Sequence, residues 1–130
     1  MKVEVLDPNK WHGPTSRNGT VLASLSELEK HFGPNTFKGS ADNKVSHQYT
    51  IKIGSKILDI WAYKYNPAAN GSDMRTAWSI GEVTKGAISD LKKEVPELNI
   101  FHGTERSKIE EIYGFGIKGI VRYLNNNKKS

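Results

Sequence analysis

The hydrophobic pattern changes period several times along the chain, and each change marks an element. Val3 and Val5 alternate with Lys2 and Glu4, which predicts a short strand that Asp7, Pro8 and Asn9 end with turn chemistry. A polar stretch follows, with Trp11, His12, Gly13 and Pro14, then Thr15, Ser16, Arg17, Asn18, Gly19 and Thr20. It reads as loop through Gly19. Ser24 stands three residues before Glu27, the spacing of a capping box, and Leu25, Leu28 and Phe32 form an apolar stripe. Gly33 and Pro34 then block continuation, so a helix is expected over 25–32.

The next segment predicts a β-hairpin. Val45, His47, Tyr49, Ile51 and Ile53 share one face, Gly54 and Ser55 form a glycine-first turn, and the return strand runs from Ile57 to Tyr65. That strand puts Ile57, Asp59, Trp61, Tyr63 and Tyr65 on one side and Leu58, Ile60 and Ala62 on the other. Apolar groups on both sides indicate a central strand. Residues 66–75 read as a flexible loop, and Thr76–Ile80 as a third sheet strand with Trp78 inside it, ended by Gly81. A helix is expected over 85–95, capped by Thr84 and buried along Ile88, Leu91 and Val95. Leu98–His102 is a candidate fourth strand. From Ile109 to Leu124 apolar residues recur at helical spacing, with Thr104 as a cap and Gly114, Gly116 and Gly119 as interruptions.

The fold class expected is therefore α+β: an antiparallel sheet of three to four strands with helices on one face, plus a C-terminal helical segment. Residues 1–103 would form the core domain and 104–130 its extension. The 130 residues suit one domain, and with no cysteine the chain has neither disulfides nor thiolate chemistry. The start lacks a signal-peptide pattern and no apolar run is long enough to span a membrane, so a cytoplasmic protein without membrane association is expected. The net charge of +5 is spread along both halves rather than gathered in a basic arm.

Composition and spacing narrow the chemistry. His12, His31, His47 and His102 show no metal-ligand spacing, and no nucleophile elbow or phosphate-loop motif occurs, so no catalytic residue, metal or cofactor is assigned. Gly114 to Gly119 resembles a glycine-rich loop but lacks the terminal lysine and hydroxyl, and reads better as a hinge. The best binding candidate is the Thr15–Thr20 stretch, where Thr15, Ser16, Arg17 and Asn18 offer hydroxyls, a guanidinium and an amide suited to an anion. Tyr63 and Lys64 join them, because aromatics interleaved with cations on a sheet suit base stacking. Trp78 and Trp61 read as core residues.

The order Thr15-Ser16-x-x-Gly19, then Phe32-Gly33-Pro34, then Ile60-Trp61-Ala62-Tyr63-Lys64, then Trp78-Ser79-Ile80-Gly81 resembles a family of small, mostly unannotated accessory proteins of tailed phages. The likeness runs over residues 15–95. The chain departs from it at Gln48 and Tyr49, where Glu-Trp is usual, and at Glu82, where a second glycine is usual. The resemblance implies a phage accessory protein acting in the host cytoplasm and supplies no fixed activity; joined to the missing catalytic motif, it makes the leading expectation a counter-defence inhibitor of a host nuclease or CRISPR-type system or of its nucleotide signal. Partners would be a host defence protein, or an anionic nucleotide or nucleic acid. Two other readings stand beside it: a general nucleic-acid-binding protein, and a small RNase-like enzyme using His12 or His47. The C-terminal stripe leaves a homodimer open.

Overall fold

A computed structural model describes residues 2–102 of the protein, so the helical segment expected over 104–130 lies outside the described residues. The described part is α+β with an open sheet of six antiparallel strands and two helices. In chain order the strands are β1 (Val3–Leu6), β2 (Ser16–Ala23), β3 (Val45–Ile53), β4 (Lys56–Tyr63), β5 (Thr76–Glu82) and β6 (Asn99–His102). They lie side by side as β1-β3-β4-β5-β2-β6. The helices are α1 (Leu25–Phe32) and α2 (Ala87–Glu94).

Six strands replace the expected three to four, and the main correction is β2. The segment through Gly19 read as loop because Asn18 and Gly19 form a turn-like pair. They instead make a bulge between Arg17 and Gly19 in a strand flanked on both sides, by β5 and β6. The bulge absorbs the extra residue, and the glycine is demanded by packing. A Cβ at Gly19 would sit 2.7 Å from Ile88 Cδ1 and 3.2 Å from Ile80 Cβ.

The hairpin forms as expected. Its turn needs a positive φ only at Gly54, 61°, which suits a glycine-first turn. α1 carries its capping box at Ser24 and Glu27. α2 starts at Gly86 rather than at a Thr84 cap, because the Thr84 hydroxyl accepts from Ile57 N at 3.1 Å instead. Residues 66–75 are better fixed than their composition suggests. They hold a 3-10 turn, Pro67–Asn70, capped by Asn66, and Asp73 accepts from both Ser26 N and Ser26 Oγ.

The strand period decides which side is core. Tyr49 pairs with Ile60 and Ile51 with Leu58 across the hairpin, Ile53 follows on the same side, Ile60 pairs with Ile80, and Val21 lies between Trp78 and Ile100. All are buried, with Leu28, Phe32, Ile88 and Leu91 of the helices packed among them. Both helices therefore cover one face. The other face carries Gln48, Thr50, Asp59, Trp61, Ser79, Arg17, Thr20 and Phe101, joined by the same register. Residues 7–15 link the edge strand β1 to the interior strand β2, and run across this second face as a strap. His12 comes within electrostatic reach of Asp59, and Thr15 lies over Gly81.

Candidate functional site

The second face is built from two rows of paired residues. Asp59, Gly81 and Arg17 form one row, and Gln48, Trp61, Ser79, Thr20 and Phe101 the other. Gly81 is the gap between a carboxylate and a guanidinium. A Cβ there would come within 3.0 Å of both the Trp61 six-membered ring and Thr15 Cβ, so the glycine lets the indole lie across the strand beside Arg17. Arg17 Nε donates to Ser79 Oγ at 3.3 Å, which orients the guanidinium.

Two more rings complete the cluster. Tyr63 and Tyr65 stack with centroids 5.5 Å apart and planes 19° from parallel. Burial lifts the Tyr65 hydroxyl above its ordinary pKa, Tyr63 adds to the rise, and the Arg17 charge opposes it. Lys64, between the two tyrosines in sequence, is exposed.

Asp59 lies at the other end of the first row. Thr50 Oγ1 donates to its Oδ1 at 2.6 Å, yet burial outweighs that bond and the nearby His12, and raises its pKa. The four-residue set of Asp59, Thr50, Arg17 and Ser79 is polar in a mostly buried setting, because Thr50 and Ser79 are both buried.

The structure divides the residues that sequence reasoning grouped. Arg17 and Tyr63 belong to the second face, with Thr15 at its margin, while Lys64 follows the end of β4 and is exposed. Ser16 and Asn18 do not join them. They line a separate groove of about 350 Å³ with Glu82, Val83 and Lys85. Along 15–20 the backbone of Ser16, Arg17, Gly19 and Thr20 is engaged in strand pairing, with Asn18 in the bulge. The adjacent N-terminus of α2 is not open to an anion. Glu82 Oε2 already accepts from Gly86 N and Ile88 N, each at 2.9 Å, while Glu82 Oε1 accepts from Asn18 Nδ2 at 2.6 Å.

Sequence reasoning missed Trp61, Tyr65 and Ser79 as site residues. The alternation along β4 carried the signal for Trp61, since it shares a face with Asp59. The two histidines offered for RNase chemistry do not converge. His47 meets the Trp78 ring edge-on at 6.1 Å on the helix-covered face, and burial lowers its pKa. His12 sits on the strap against the Asp7 carbonyl, 2.9 Å from its Nε2. Among the described residues no group of three or more His, Asp or Glu could hold a metal ion, and no helix is long and apolar enough to cross a membrane.

Compared with protein-family models, curated proteins and solved structures, the chain matches none.

Proposed function

We propose that the chain acts by binding, and that its ligand is an anionic nucleotide or single-stranded nucleic acid held on the second face of the sheet. The observation that carries this reading is the convergence of Arg17 with the Trp61 indole and the Tyr63–Tyr65 stack. A guanidinium fits phosphate oxygens through paired N–H donors, and aromatic faces take bases with little sequence preference. The net charge of +5 favours an anionic ligand over a cationic one. The tailed-phage resemblance supports a setting in the host cytoplasm. There a counter-defence protein of this kind withholds a nucleic acid or a nucleotide signal from a host nuclease system.

The test is titration of the purified chain, by fluorescence anisotropy, with labelled single-stranded DNA, single-stranded RNA and cyclic oligonucleotides at several salt concentrations. Binding that weakens with salt is expected. Arg17→Ala should lower affinity by about tenfold or more, the scale of one charge-assisted contact, with the far-UV circular dichroism of the parent retained. Equal affinity in the variant, or no binding to any of these ligands, removes the face from the account.

A further inference from the structure

Trp11 is 83% exposed, the largest side chain left in water among the described residues. Isolated apolar residues on a surface are ordinary, so exposure alone decides nothing. The loop beneath it is built, however. Asp7 Oδ1 accepts from Asn9 N at 2.9 Å and from Asn9 Nδ2 at 3.1 Å. The same Asn9 side chain bridges to the next loop, donating to the Thr36 carbonyl at 3.0 Å and accepting from Lys38 N at 2.8 Å. Lys10 N donates to the Asp7 carbonyl, which also meets His12 Nε2. The residues on both sides of Trp11 are therefore pinned, while its indole packs on nothing large enough to bury it.

Charge and position supply the second argument. Lys10 precedes the indole, and the Asn9 bridge brings Lys38 alongside; both lysines are exposed. Gln48 of the second face donates to the Pro8 carbonyl at 3.5 Å, and Thr15 lies against Gly81, so the strap is tied to that face on either side of Trp11. The strap thus carries Trp11 at the border of the face that holds Arg17.

We infer that Trp11 is a second stacking platform, on which one base of a single-stranded nucleic acid lies while its phosphates pass Lys10 and Lys38. This rests on the binding reading above and narrows it: the ligand is an oligonucleotide, and a mononucleotide fills only the Arg17 end. A stacked base and flanking lysines are the usual combination for sequence-tolerant single-strand binding.

The experiment compares labelled oligodeoxythymidine and oligouridine with thymidine and uridine monophosphates, on the full chain and on Trp11→Ala and Trp11→Phe. The alanine variant should bind the oligonucleotides about tenfold more weakly, a loss typical of removing one aromatic platform. Its mononucleotide affinity and thermal midpoint should match the parent, and Trp11→Phe should recover most of the loss. Oligonucleotide binding that quenches tryptophan emission in the parent should quench it less in the alanine variant. Unchanged oligonucleotide affinity in Trp11→Ala overturns the inference, as does a parent that binds no oligonucleotide. If oligonucleotides bind through Trp11 but mononucleotides do not bind at all, the platform stands and the Arg17 site falls.

Discussion

Asp59 and His47 sit on opposite faces of one sheet, and burial moves their titrations in opposite directions. For Asp59 burial raises the pKa above its ordinary 3.8, against the Thr50 hydroxyl bond and the His12 charge. The folded state therefore holds its proton longer than the unfolded chain does, and Asp59 lowers stability as pH rises through the carboxylate range. For His47 burial lowers the pKa below 6.5, with Glu29 opposing. The unfolded chain then takes up the proton first, so the stability that neutral His47 supports is present above its ordinary pKa and is lost as pH falls through it. Urea midpoints measured across pH separate the two. Asp59→Asn should gain on the parent as pH rises above about 4, and His47→Gln should lose less than the parent between about pH 7.5 and 5.5. A midpoint difference that stays constant with pH in either variant would show that the group titrates as it does in the unfolded chain.

At the scale of elements, α2 shows how a helix can start without a local cap. Gly86, with φ of 94°, offers no side chain, and the carboxylate that receives the first amides comes from Glu82 at the end of β5. Glu82 thus bolts the helix to the sheet and, through Asn18, to the bulge in β2. Lys56 adds a second tie, its Nζ 2.9 Å from Asp90 on the helix. Glu82→Ala should destabilise the protein by about 1–2 kcal/mol, the range of a lost cap with its favourable charge at the helix start. Chemical denaturation measures this, and Glu82→Gln should fall between the two because an amide keeps one acceptor. An alanine variant as stable as the parent would mean that water caps α2 equally well.

The same region shows what was legible in the sequence. The hairpin and α1 were readable because turn, period and cap agree locally there. β2 was not, since Asn18 and Gly19 carry turn chemistry, and the packing of Ile88 and Ile80 that requires Gly19 is visible only in three dimensions. Glu82, which follows Gly81 in sequence, has its use in capping α2, a role set by the fold and not by a local motif. Arg17 and Tyr63 were singled out from residue type alone. Their separation from Ser16 and Asn18 follows from the strand period once 16–23 is known to be a strand.

For the molecule as a whole, chain order and sheet order disagree, and the disagreement sets the order of folding. β3 and β4 are joined by the turn at Gly54 and Ser55, so their pairing closes almost no loop. β2 is made early in the chain but pairs only with β5 and β6, near the end of the described part. Its loop-closure entropy must be offset by burial of Val21, Trp78 and Ile100 that comes late. The hairpin with Ile51 should therefore be formed in the folding transition state while the β2 pairing is not. Stopped-flow measurements on two mild core truncations test this. Ile51→Val should mainly slow folding, whereas Val21→Ala should mainly speed unfolding. If Val21→Ala slows folding as strongly as Ile51→Val does for its share of lost stability, the sheet condenses around β2 and β5 instead. In that case the strand bearing Arg17, rather than the hairpin bearing Trp61, organises the second face of the sheet.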